Sequence, residues 1–193
     1  LVVYSGDDAH DEYLYRFVSD HPVDLENRAA NRDLLDHGTL SVARLDADGM
    51  LHWLPLSAAP GFASDAERLI HARLAADRLD ATPMDRPEGV AIHPTRGEVY
   101  VALTKNPTRF VTNPANPRMN NRAGHILQLR PPRGDHAADT FAWDVFVLAG
   151  NPEQDRVAYG EGASPDQWFA CPDNLVFDPS GTLWIATDGM GAF

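Results

Sequence analysis

Apolar and polar positions alternate with a period of two through "LVVYSG", "EYLYRFVS", "GTLSVARL" and "MLHWLPL", four short runs between Leu1 and Leu56. Period two is the pattern of a half-buried strand. "DADG", Asp46 to Gly49, separates the last two runs and reads as a hairpin turn. It opens like a calcium loop, but no third ligand precedes its Gly and no acid stands at the twelfth position. The period then changes. In "SDAERLIHARLAADRLD" the apolar residues Ala66, Leu69, Ile70 and Leu74 recur at three- and four-residue spacing, and Ser64 followed by Glu67 forms a capping box. This predicts one inserted helix near residues 64–80, with His71 on its surface. Strand periodicity returns in "GVAIH", "EVYVALT", "GHILQLR" and "TFAWDVFVLAG", a four-strand unit over 88–149. Its link from Lys105 to Gly124 is rich in Asn and Pro and too long for a hairpin, which predicts a loop overhanging one face.

The next unit, over 172–188, repeats the start of that one. "RPEGVAIHPTRGEVYVALT" and "CPDNLVFDPSGTLWIATDG" share the order Pro, acid, small or amide residue, apolar run, His or Asp before Pro, Gly, alternating strand. Setting Pro87 on Pro172, 85 residues apart, places Glu88 on Asp173, Gly89 on Asn174, His93 on Asp178 and Pro94 on Pro179, with one residue fewer before Gly181. Repeated strand-turn-strand units mark arrays in which each unit buries its faces against its neighbours. The expected fold is all-β, a β-propeller. At roughly 40 to 50 residues per blade, 193 residues hold about three to four blades, and both ends read as the middle of β-structure. The chain is therefore expected to be part of a single propeller domain in a longer protein.

Composition narrows the function. No run approaches the ~18 apolar residues of a membrane span. A formal charge of −12 argues against a nucleic-acid surface. One cysteine, Cys171, excludes an internal disulfide framework. No phosphate-binding Gly-rich loop, Cys-x-x-Cys pair, His-Glu-x-x-His helix or Gly-x-Ser-x-Gly elbow occurs.

The candidate chemistry lies at the strand entries. In a propeller the first strand of each blade lines the central channel, so Glu88 and Asp173 converge on one axis. Two carboxylates held close force one to take a proton unless a cation lies between them. Asp, Glu and the amide oxygen of Asn174 suit a hard cation such as calcium, magnesium, manganese or ferric iron. Arg86, two residues before Glu88, shares its face in an extended segment. Its guanidinium suits bidentate capture of phosphate oxygens, or alternatively a salt bridge to Asp85 or Glu88. His93 and Asp178 read as turn formers, and Asp188 as either a turn residue or an oxygen ligand. Near the start, Asp7, Asp8, Asp11 and Glu12 surround a turn, either as solvated acids or as ligands.

These segments, together with "ENRAANRDLLDHGTLSVARLDADG", "NPRMNNRAGHILQL" and "AWDVFVLAG", resemble in the same order the PhoX-type alkaline phosphatase family. The resemblance implies a six-bladed propeller and a Tat-exported, periplasmic or secreted phosphomonoesterase carrying a calcium and iron cluster. By motif it assigns Glu88 and Asp173 to the cluster and Arg86 to the substrate phosphate. It points to an acid of the "GDDAHDE" turn as a further ligand, Glu12 ahead of Asp7 and Asp8. Cys171 is not the family's iron-binding cysteine, which belongs to a region outside this sequence. The implied partners are small phosphate esters, acted on by a monomer. Two other readings stay open: a calcium-dependent lactonase or phosphotriesterase, and a non-catalytic propeller module stapled by calcium.

Overall fold

The structure, a computed structural model, describes residues 1–164 and 166–189. The four N-terminal runs form an antiparallel meander of β1 (Val2–Gly6), β3 (Leu14–Ser19), β4 (Gly38–Leu45) and β5 (Met50–Pro55), with the three-residue strand β2 (His10–Glu12) in the β1–β3 connection. A second meander contains β7 (Pro87–Ile92), β8 (Val99–Leu103), β9 (His125–Arg130) and β10 (Thr140–Leu148). Just ahead of it, β6 (Met84–Asp85) pairs with β2. The hairpin β11 (Pro172–Phe177) and β12 (Leu183–Thr187) begins a third unit.

The two meanders join in one eight-stranded sheet through three residue pairs of β5 and β10, Thr140 with His52, Phe141 with Leu51 and Ala142 with Met50. The principal core lies between them, where Leu14, Leu51, Trp53, Met84, Val101, Leu127 and Phe141 are buried together. At ~1.5–3 kcal/mol for each large apolar side chain removed from water, this interior is the main force holding the meanders side by side. A second cluster, with Tyr100, Ile126 and Val147 at its centre, packs the middle meander against Leu175, Phe177, Leu183 and Ile185 of the third unit. Each unit thus closes its apolar faces on its neighbours, as a partial propeller-like array does.

At the axis the inner strands approach at glycines. A Cβ on Gly6 of β1 would lie 2.1 Å from the Pro87 carbonyl oxygen of β7, and one on Gly89 of β7 would lie 2.3 Å from the Asp173 carbonyl oxygen of β11. Only residues without a side chain allow neighbouring backbones this close.

The turns follow their chemistry. Gly49, at φ +82°, closes the β4–β5 hairpin, and Asp46 pairs with Arg44 and His52. His93 N–H donates to the Glu98 carbonyl, while the Asp178 carboxylate accepts from the Ser180 and Thr182 amides.

Two expectations need correction. The single helix is two short ones, α1 (Asp65–Ile70) and α2 (Ala72–Arg78), broken at His71 with φ −108° and ψ 45°. Ser64 caps α1 by accepting from the Glu67 amide, whereas the Glu67 carboxylate reaches back to the Ala63 amide. The helical face also differs, because Leu69, Ile70 and Leu74 are exposed while Ala75 and Ala76 pack on Tyr13, Tyr15 and Val42. Small alanines let α2 approach the meander closely, and the break brings the Arg73 fork onto Asp7 at 2.7 and 2.8 Å. Secondly, the 105–124 link does not simply overhang. Asn106, Arg109, Asn116 and Asn121 are buried, and bridges at Asn106–Asn121 and Asn113–Asn116 fold it on itself. Its amide side chains satisfy backbone groups that a packed loop would otherwise strand; Phe110, Val111 and Met119 remain exposed.

Candidate metal and phosphate site

The alignment of Pro87 with Pro172 holds in three dimensions. β7 pairs Pro87 with Leu103, breaks register, and resumes at Val90 with Val101. β11 pairs Pro172 with Thr187, breaks, and resumes at Leu175 with Ile185. The break takes Glu88 and Asp173 out of the regular ladder at the same point of each unit.

The residue before each proline repeats as well. Arg86 has φ +57° and Cys171 φ +54°, a left-handed conformation that a side chain disfavours and a following proline disfavours further. Both carbonyls are held by the outgoing strand of the same unit, Arg86 O by the Thr104 amide at 3.1 Å and Cys171 O by the Asp188 amide at 2.9 Å. Thr104 and Asp188 are thus equivalents, and Asp188 enters the site from the third unit.

Around this kink the charges gather. Arg86 Nε donates to Asp8 Oδ1 at 2.8 Å, Nη2 to Asp8 Oδ2 at 3.2 Å and Nη1 to Asp188 Oδ2 at 3.3 Å. Glu88 Oε1 lies 3.0 Å from Arg86 Nη2 but off its N–H direction, so the pair is electrostatic only. Of the five N–H groups on the guanidinium, the described residues take three, and two remain for another acceptor. Lys105 Nζ also reaches Asp188 Oδ2, at 3.3 Å, and hydrogen bonds from Lys105 and then Arg86 hold the Asp188 carboxyl below its usual range.

Glu88 and Asp173 meet, as their alignment predicts. Burial, and then the hydrogen bond with Asp173, pushes the Glu88 carboxyl up to about 8. A hydrogen bond between two carboxyl groups requires a proton on one of them. Glu88 Oε1 is shielded from water with no donor directed at it. Among the described residues, Asp8, Glu88, Asp173 and Asp188 face Arg86 and Lys105, leaving an excess of negative charge.

This donor set fits a hard cation, which accepts carboxylate oxygens and cancels that excess. It is partial, because among the described residues no three His, Cys, Asp or Glu side chains converge with metal-ligand spacing. Asn174 is exposed and takes no part in the cluster of hydrogen bonds.

The N-terminal acids divide between two places. Asp8 joins Arg86, whereas Glu12 lies 3.4 Å from Arg73 Nε, beside Asp7. Burial raises the Glu12 carboxyl against the opposing pull of Arg73, and its Oε2 lacks a hydrogen-bond partner. The structure thus brings Asp8, Arg86, Glu88 and Asp173 together and sets Glu12 in separate company. Asp11 turns to Arg109, 2.6 Å away.

Three contributors were not singled out by sequence reasoning. Lys105 carries no local signal, since its role depends on Asp188 of the next unit. Asp85 was weighed only as a partner for Arg86, yet it is fully buried and paired with Arg109 instead. Asn121 completes that pairing, with Nδ2 2.7 Å from Asp85 Oδ2.

The family model "Alkaline phosphatase PhoX" matches residues 1–192. Among solved structures, Pseudomonas fluorescens PhoX in complex with vanadate, a transition state analogue, is similar with a TM-score of 0.86 and 45% identity. The match covers 98% of this chain and 36% of that one, so the chain spans about a third of the length of that relative. No curated protein matches the chain. With its repeated strand entries, its paired carboxyls and a family match along nearly its whole length, the chain belongs to the PhoX alkaline phosphatase family.

Proposed function

We propose that this chain supplies part of the active site of a phosphomonoester hydrolase, with Arg86 binding the phosphoryl group and Glu88 and Asp173 holding metal. The carrying observation is the Glu88–Asp173 carboxyl pair beside an arginine that keeps two N–H groups available among the described residues. The vanadate complex of the Pseudomonas relative supports the reading, because vanadate imitates the five-coordinate phosphoryl group in transfer. Family membership favours it over a lactonase and over a purely structural calcium module.

Calcium and ferric iron are the metals proposed, and when bound they supply positive charge to the phosphoryl oxygens and acidify an attacking oxygen. The residues of the chain do the rest. Glu88 and Asp173 would present their carboxylate oxygens to the cation. Arg86 turns its remaining N–H groups toward equatorial phosphoryl oxygens, where charge is spread during transfer. Asp8 and Asp188 hold the guanidinium from two sides, which limits its reorientation when the ester binds. Glu12 is proposed as a separate oxygen donor at its own position beside Arg73.

The domain reading belongs to the same proposal: 1–56, the helical insertion at 64–80, 88–149 and 172–188 are successive parts of one propeller. Substrates are small phosphate esters, met outside the cytoplasm by a monomer. No helix among the described residues is long and apolar enough to cross a membrane.

The test uses the full-length enzyme with calcium. Glu88→Gln is expected to lower kcat for p-nitrophenyl phosphate by at least ~100-fold, and Arg86→Ala to lower kcat/KM by ~100 to 1,000-fold, the range seen when one preorganised charge-stabilising donor is removed. Equal turnover by wild type and Glu88→Gln overturns the proposal.

A further inference from the structure

Arg86 occupies a backbone conformation that it does not favour, and its neighbours hold it there. On one side its carbonyl accepts from the Thr104 amide. On the other, the Asp85 amide donates to Asn116 Oδ1 at 3.0 Å. The Asp85 side chain is fully buried and receives Arg109 Nε on one oxygen and Asn121 Nδ2 on the other. Arg109 is tied in turn to Asp11 Oδ1 at 2.6 Å and to the Val111 carbonyl at 3.2 Å. Asn121 Oδ1 accepts from the Gly124 amide at 3.0 Å. Asn116, Arg109 and Asn121 all belong to the 105–124 link, so this loop clamps the residue immediately before Arg86.

The third unit provides an internal control. Cys171 has the same left-handed conformation before a proline, yet Ala170 stands where Asp85 stands, fully buried and without charge. Its thiol turns inward to the Arg122 carbonyl. The kink therefore forms without a buried ion pair. Burying such a pair gives little net stability compared with apolar residues of similar size, so kink formation does not account for Asp85 and Arg109. The difference between the two units lies in what the kinked side chain does: the Arg86 guanidinium donates to Asp8 and Asp188, whereas the Cys171 thiol donates to a loop carbonyl.

We infer that Asp85, held by Arg109 and Asn121, is a positioning residue that sets the direction of the Arg86 guanidinium for phosphate capture. The inference rests on the proposed phosphate role of Arg86. The loop thereby acts on the site through the backbone at Asp85, without reaching the phosphate itself. Guanidinium forks are sensitive to direction, since two parallel N–H bonds must align with two oxygens.

A double-mutant cycle on the full-length enzyme tests it, with vanadate inhibition and the split between KM and kcat as readouts. Asp85→Ala combined with Arg109→Met removes both buried charges together and copies the third unit, which protects folding. Expected is a rise of about tenfold or more in the vanadate inhibition constant when Arg86 is present, and less than about twofold in an Arg86→Ala background. Equal effects in both backgrounds, or none with Arg86 present, overturn the positioning role while the phosphate role of Arg86 stands. If Arg86→Ala alone leaves vanadate inhibition unchanged, the phosphate reading fails and the positioning role with it. Should the double variant not fold, Arg109→Lys, which keeps the charge and loses the fork, carries the same comparison.

Discussion

Glu88 and Asp173, on the inner strands of adjacent units, face each other, and burial followed by the contact with Asp173 pushes the Glu88 carboxyl up to about 8. The pair is a consequence of the repeat, because each acid leaves its ladder at the same register break. In Glu88→Gln a neutral amide, able to donate to Asp173, replaces the buried carboxyl. Stability of the metal-free protein above pH ~8 is expected to rise by about 1 kcal/mol, while calcium affinity falls at least tenfold. Thermal unfolding in chelator and calcium calorimetry check the two halves, and undiminished calcium binding would count against the pair as a ligand.

Gly89 keeps β7 and β11 within reach of each other. Gly89→Ala places a Cβ 2.3 Å from the Asp173 carbonyl oxygen, so one strand must move. The expected cost is about 2–3 kcal/mol, with loss of calcium binding as the carboxyls separate. Among the described residues nothing lies within 4 Å of where a Cβ on Gly160 would sit, and Gly160→Ala should stay within about 0.5 kcal/mol of wild type. Urea denaturation of both variants makes the comparison.

His125 is fully buried, with Nε2 2.7 Å from the Ala115 carbonyl and Nδ1 3.1 Å from the Asn121 amide nitrogen. The carbonyl takes the Nε2–H and the amide donates to Nδ1, which defines a neutral ring. Burial lowers its pKa to about 4, with Asp85 opposing and Arg118 and Arg109 reinforcing that shift. Above pH 6.5 the folded and unfolded rings are both neutral. Between 6.5 and 4 the unfolded chain takes a proton that the folded one refuses, so stability falls as pH drops. The expected loss across that window is about 3 kcal/mol. His125→Gln should flatten the curve of stability against pH there, as measured by denaturation at half-unit pH steps; an unchanged slope would remove His125 as its origin.

Cys171 is buried, and burial raises its thiol pKa. Thiolate is the reactive form. Labelling by a disulfide reagent at pH 7 is therefore expected to run at least ~100-fold slower than for free cysteine until the protein is unfolded. Cys171→Ser should leave the content of the proposed iron and calcium unchanged in the full-length enzyme. Iron lost on that substitution would make the thiol a ligand after all.

Much of the fold was legible as periodicity. The apolar-rich runs found all four strands of each complete meander, although β8 is buried at every position and shows as a continuous apolar run rather than as an alternation. The helical insertion was placed correctly, but its buried face was misjudged. Leu69, Ile70 and Leu74 satisfy the period, while the actual contact uses Ala75 and Ala76, whose value lies in the close approach they permit. The capping residue Ser64 was legible because its hydrogen bond spans only three residues.

The sequence by itself determined the repeated Pro-acid entry, the turn chemistry at Gly49, and the alignment that sets Glu88 opposite Asp173. Those features depend on neighbours in the chain or on the register of a repeat, and both are written in spacing. Tertiary structure alone decided that Asp8, and not Glu12, meets Arg86, that Lys105 and Asp188 join the site, and that Asp85 belongs to Arg109. These partners are charged side chains many residues apart along the chain, and no spacing rule encodes which of several acids a given cation will face. Their pairing follows from how the loop and the meanders pack, because a buried charge must find a partner wherever the fold brings one within reach.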